Sequence, residues 1–239
     1  MNYLVRLAYD GSKFYGFQRL NEENSVQKVL EEALTIINKK EVLVKGAGRT
    51  DRGVHALDQC ITFKLDVSID TDGLVKAMNS LVGPYIFVKS AQEVGADFHA
   101  RFNVSKKKYK YIIKLSDYNP LEYDYLFFCK YKLDIDLMKD VAKLYLGVHD
   151  FHNFVSGERD NTECIVYDIN FELKNNYLEI VFEGKSFYRY MVRNLVGAMI
   201  EVGRGKIDVD YVKRMLESKD EINCFTAPAN GLYLMEINY

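Results

Sequence analysis

Val26, Val29, Leu30, Ala33, Leu34 and Ile37 fall at helical spacing between two strand-like runs, and this alternation does most to limit the fold. A helix with one apolar face must bury it against a second layer. The flanking runs supply one. Residues 3–9 (YLVRLAY) end at the turn signal Asp10-Gly11, and residues 57–65 (LDQCITFKL) are rich in strand formers. Asn24 is placed to cap the helix, with Gln27 three residues on. Residues 70–82 form a second helix, ended by Gly83-Pro84, and residues 85–93 return as a strand. The second half is of the same kind. Residues 108–115 and 125–130 are strands, and 134–146 is a helix stopped at Gly147. Residues 163–173 and 177–183 make a hairpin around Lys174-Asn175-Asn176. Two more helices, 189–202 and 208–217, precede a closing strand at 232–238. The expectation is an α+β chain of two mixed lobes, residues 1–104 and 105–239, each a sheet backed by helices. No Pro- or Ser-rich linker lies between them, so the lobes are expected to share an interface.

Several classes drop out. No run reaches the ~20 apolar residues of a membrane-spanning helix. The start, MNYLVRLAYDGS, lacks a signal peptide's charged opening and apolar stretch, so a cytoplasmic protein with no membrane partner is expected. Cys60, Cys129, Cys164 and Cys224 are far apart, which argues against disulfides and a cysteine zinc site. His149 and His152 form H-x-x-H without the zincin glutamate, so no metal is expected. The net charge of −2 speaks against nucleic acid only if basic residues are spread evenly, and they are clustered.

Three segments carry possible chemistry. The densest is Gly46-Ala47-Gly48-Arg49-Thr50-Asp51-Arg52-Gly53-Val54-His55. Its glycines let the backbone approach a ligand closely. A carboxylate between two guanidiniums stays ionised and can act as nucleophile or base. The plainer reading is an Asp-x-Gly turn in which Asp51 bonds its own backbone. The second segment, residues 98–114 (FHARFNVSKKKYKYIIK), holds Arg101, Lys106, Lys107, Lys108, Lys110 and Lys114 with no acid. On a strand Tyr109 and Tyr111 share one face, and Lys108 and Lys110 the other. Cations interleaved with rings suit RNA; lysines also keep sheet edges soluble. In the third, residues 185–193 (KSFYRYMVR), Arg189 and Arg193 are four apart and share a face of the expected helix. Such arginines snorkel outward or pair with a carboxylate.

Taken together, these segments resemble the TruA family of tRNA pseudouridine synthases. The likeness begins with Tyr9-Asp10-Gly11-Ser12, Phe17-Gln18 and Ser25-Val26-Gln27 and includes the Asp51 loop. It continues through Phe98-His99-Ala100-Arg101-Phe102, Lys108-Tyr109-Lys110-Tyr111, Gly147-Val148-His149-Asp150-Phe151, Met191 to Gly197 and Thr226 to Leu234. Two departures stand out: Phe17 where the family commonly has Trp, and Arg52 where it often has Ala.

The resemblance implies the pseudouridine synthase fold, with antiparallel sheets backed by helices and an active-site cleft between the lobes. It implies conversion of uridine to pseudouridine in the tRNA anticodon stem-loop, at tRNA positions 38, 39 and 40, by a homodimer needing no cofactor. Asp51 matches the catalytic aspartate. Tyr109 would stack on the uracil and Arg193 would pair with Asp51, while Arg49 would brace the flipped position. Arg52, His55, Arg101, Lys106, Lys107, Lys108, Lys110 and Arg189 are candidate tRNA contacts. The alternatives are the same chemistry at another tRNA position and a non-catalytic tRNA-binding module.

Overall fold

The structure, a computed structural model, describes residues 1–20, 24–157, 161–218, 220 and 222–239. The chain divides into two units, Met1–Ser105 with Tyr233–Tyr239, and Lys106–Leu232.

The first unit opens with β1 (Asn2–Tyr9), followed by α1 (Val26–Asn38), β2 (Lys45–Gly46), β3 (His55–Lys64), α2 (Thr71–Val82) and β4 (Ile86–Val94). β1 pairs antiparallel with both β3 and β4, so it is the central strand of the three. Nearly all of β1 and β3 is buried, because helices cover what the sheet does not. Leu30 and Leu34 of α1 and Leu74 of α2 are fully buried with Tyr3, Leu7 and Ile61. The helical stripe read from the sequence is therefore the face that fills this core. The start of α1 differs from expectation by one residue. Ser25, not Asn24, is the N-cap, and its hydroxyl accepts from the Lys28 amide at 3.2 Å. Gln27 thereby moves to the second helical position. There it reaches out of the helix, accepting from the Arg19 amide and donating to Val44 O.

The second unit comprises β5 (Lys106–Lys114), β6 (Phe127–Phe128), α3 (Ile135–Leu144), β7 (Gly147–Asp150), β8 (Glu163–Lys174), β9 (Tyr177–Gly184), α4 (Met191–Gly203) and α5 (Val209–Glu217). Its strands run in the order β5-β9-β8-β7, all antiparallel, with β6 added in parallel to β5. The expected hairpin is present. Asn175 and Asn176 take φ of 49° and 65°, the left-handed pair that a two-residue turn requires and that asparagine tolerates. Tyr111, Tyr145, Phe151, Phe154 and Phe182 are fully buried in this unit.

Four elements depart from the sequence reading. The strand expected over 125–130 shrinks to Phe127–Phe128. The helix expected from 134 ends at Leu144, and Gly147, at φ 96°, already opens β7. α4 begins at Met191, because Tyr190 sits in the left-handed region at φ 65°. Lastly, β10 (Leu232–Asn238) was expected in the second lobe. Tyr233 and Leu234 instead pair in parallel with His55 and Ala56 of β3, so the closing strand belongs to the first unit.

Candidate active site

The Asp51 loop runs between β2 and β3, and its residues alternate between anchor and display. Ala47, Thr50 and Val54 are buried, Asp51 is half-buried, and Arg49 and Arg52 are exposed. The anchors have named partners. The Ala47 amide donates to Cys60 O at 2.8 Å, and Gln59 Nε2 donates to Gly48 O at 2.9 Å. The Thr50 hydroxyl lies 2.8 Å from the Tyr9 hydroxyl. Burial pushes the Tyr9 phenol up to about 12, so it remains a neutral hydrogen-bonding group at physiological pH. The Val54 amide donates to Asp51 O at 3.1 Å and closes a tight turn, with Gly53 at φ 81° in the position where glycine is favoured.

A second segment clamps this loop. Phe17 N–H donates to Thr50 O at 3.1 Å. Gly16 adopts φ 104°, and a Cβ there would stand 2.9 Å from Thr50 O. A Cβ on Gly11 would stand 2.0 Å from Val54 O. The two glycines thus let residues 11–17 lie directly against the backbone on either side of Asp51. In the sequence Gly11 stands out as a turn residue and as part of a resemblance, and Gln59 and Gly16 carry no evident role. The signal was the spacing of those glycines, which has meaning only beside a loop about 40 residues away.

His55 requires a correction as a tRNA contact. It is buried, its Nδ1 accepts from the Gly11 amide at 3.1 Å, and its ring stacks on Tyr233 at 4.6 Å. It fastens the loop's exit rather than facing solvent. Arg101 is exposed and lies beside the exposed ring of Phe102.

In the second unit, Tyr109 and Tyr111 share the buried face of β5, as the alternation predicts. Tyr109 meets Phe187 edge-on at 5.3 Å. The Tyr111 hydroxyl donates to Pro228 O, and burial raises its phenol well above the ordinary tyrosine value. Arg193 lies in the first turn of α4 and is tied to residue 227 twice. Its Nε donates to Ala227 O at 2.8 Å, and its carbonyl accepts from the Ala227 amide at 3.1 Å. Gly197 makes this approach possible, since a Cβ there would lie 1.6 Å from Phe225 O. Arg189 does not share a helix face with Arg193, because it precedes the helix. It is exposed, and both guanidiniums approach the Tyr190 ring, at 5.0 and 4.7 Å.

The basic strand is partly neutralised. Lys106 and Lys108 both pair with Glu183 of β9, at 2.7 and 3.3 Å, and Lys110 pairs with Glu179 at 3.1 Å. The Lys106 and Lys108 hydrogen bonds hold the Glu183 carboxyl below the usual carboxylate range. Lys107 points the other way and is buried. The lysines that read as an RNA-facing row also tie β5 to β9.

Comparison with known proteins defines the class. A family model described as tRNA pseudouridine synthase matches residues 7–103 and 141–239, and the chain belongs to the tRNA pseudouridine synthase family. Within it, relatives named tRNA pseudouridine synthase A match over full length. That of Finegoldia magna is 38% identical, covering 100% of this chain and 99% of the relative. That of Limosilactobacillus fermentum is 39% identical, over 99% and 95%. That of Mycoplasmoides gallisepticum is 34% identical, over 100% and 91%. Membership makes the chain an isomerase, and its α+β units are of the pseudouridine synthase fold. No helix among the described residues is long and apolar enough to cross a membrane.

Proposed function

We propose that this protein isomerises uridine to pseudouridine in the anticodon arm of tRNA, at positions 38, 39 and 40, with Asp51 as the reacting carboxylate. The observation that carries the assignment to Asp51 is its setting: a half-buried carboxylate in a loop pinned on both sides, with Arg49 and Arg52 turned outward. Such preorganisation is what a group attacking a substrate needs. The target uridine leaves its stack, at a cost of a few kcal/mol that phosphate contacts from arginines and lysines offset. Asp51 then attacks at C6 of the base or C1′ of the ribose. On either route the N1–C1′ bond breaks, the uracil turns, C5 bonds to C1′, and the bond to Asp51 breaks, which frees the carboxylate. The C5 proton leaves to water, and N1 regains one, so the product is an isomer.

Tyr109 and Arg193 complete the catalytic set, with Tyr109 stacking on the uracil. The double tie of Arg193 to Ala227 supports its part in that set, because it fixes the guanidinium's root. Arg49, Arg101 and Arg189, all exposed, contact the tRNA backbone, and Arg52, exposed as well, contacts the tRNA beside the target. The enzyme works in the cytoplasm as a homodimer, which sedimentation of the free protein tests; a monomer would contradict it. Mapping pseudouridine in tRNA from cells lacking the gene checks the target. Loss confined to positions 38 to 40 is expected, and loss only elsewhere would move the same chemistry to another site.

A further inference from the structure

Arg52 follows Asp51 directly, yet the two side chains do different things: Asp51 is half-buried and Arg52 is exposed. The Arg52 guanidinium carbon lies 4.2 Å from the centroid of the Tyr15 ring, well within cation–π range. Tyr15 is itself 46% exposed. The pair is not a chance meeting of two long side chains. The Tyr15 amide donates to Asn24 O at 2.8 Å, and the Val26 amide donates to Gly16 O at 3.2 Å, so the tyrosine's backbone is fixed to the start of α1. Its neighbour Gly16 packs on the Asp51 loop so closely that a Cβ there would lie 3.3 Å from the Arg52 amide nitrogen. Backbone packing therefore sets the ring beneath the guanidinium. Arg52 also differs from Lys106, Lys108 and Lys110: among the described residues it forms no ion pair with a carboxylate.

We infer that Arg52, seated on Tyr15, is a stacking platform for an unpaired RNA base next to the nucleotide that Asp51 attacks. A lysine would serve as well for a phosphate alone. An arginine already ordered on a ring offers a second, planar surface with little further loss of side-chain freedom. Guanidinium planes and aromatic rings are what proteins present to bases that have left a helix stack. Flipping the target uridine leaves its neighbour with one face uncovered, and the platform covers that face. The inference rests on the function proposed above and adds a residue pair that sets affinity for the opened strand.

Binding of an unmodified anticodon-arm RNA, followed by fluorescence anisotropy, tests it without depending on turnover. Arg52→Ala and Tyr15→Leu are expected to weaken binding on the order of tenfold, the usual scale for one stacked base. Arg52→Lys is expected to match Arg52→Ala, because it keeps the charge and loses the plane. Replacing the bases flanking the target uridine by abasic residues, one at a time, identifies the partner. At one position the loss should be about tenfold for the wild type and small for Arg52→Ala. Wild-type affinity for Arg52→Lys would reduce Arg52 to a phosphate contact and overturn the platform. Wild-type affinity for all three variants would leave only a surface pair. Both side chains are exposed, so thermal melts of the variants should match the wild type. Pseudouridine formation by the wild type, scored on the same RNA, separates failure of the platform from failure of the function.

Discussion

Asp51 is one of many aspartates in the chain, and the residues around it set it apart. Thr50 is tied to Tyr9, Gly48 to Gln59 and Val54 to Asp51's own carbonyl, so a rigid frame holds the carboxylate. The weakest point of that frame is Gly16. Replacement by alanine places a Cβ 2.9 Å from Thr50 O at a φ of 104° that L-residues rarely adopt. A loss of about 1–3 kcal/mol in urea unfolding is expected, with a fall in kcat at saturating tRNA as the loop shifts. Wild-type stability and kcat together would show that the 11–17 segment does not hold the loop. At this scale the sequence marks out the loop, and a side chain's direction is harder to read from it. In the glycine-rich loop Asp51 is half-buried, and Arg49 and Arg52 are exposed. His55 reads like chemistry because it is a histidine in a glycine-rich loop. Whether it faces in or out depends on Gly11 and Tyr233, one far upstream and one far downstream, and no local pattern reports that.

Elements were legible where a period repeats and obscure where one residue decides. The helical stripe of α1 and the alternation of β5 were both readable, because each is set by burial over several residues. The start of α4 was not. Arg189 and Arg193 have helical spacing, but Tyr190 turns left-handed between them, and its ring lies near both guanidiniums. The two-residue β6 exists only because Ile113 and Lys114 pair with it. The lysine row of β5 shows that a correct alternation does not reveal what the next strand sets beside it. Lys106, Lys108 and Lys110 share a face with Glu179 and Glu183 of β9, which leaves that face near neutrality. Changing Lys106, Lys107 and Lys108 together to alanine tests their part in tRNA binding. If each lysine neutralised a phosphate independently, the salt slope of log K would fall by roughly 0.9 for every phosphate left without its cation. With Glu183 beside two of them, a fall equivalent to at most about one phosphate is expected. A fall equivalent to about three would mean that the lysines leave their glutamates for RNA.

For the whole molecule, the α+β class was visible as a repeated order of strands and helices. The return of β10 to the first unit was not visible. A closing strand reads the same whichever sheet receives it, and its parallel pairing with β3 joins Tyr233 to His55, far apart in sequence. The family resemblance, by contrast, spans the chain, and the matches at 7–103 and 141–239 take in both the Asp51 loop and α4. In the proposed reaction this scaffold brings one carboxylate, Asp51, to a uridine. Tritium release from tRNA labelled at uridine C5 tests it most directly, with wild type and Asp51→Ala side by side. Release by the wild type is expected and none above background by the variant, while the variant still binds tRNA. Release by Asp51→Ala at the wild-type rate would contradict it.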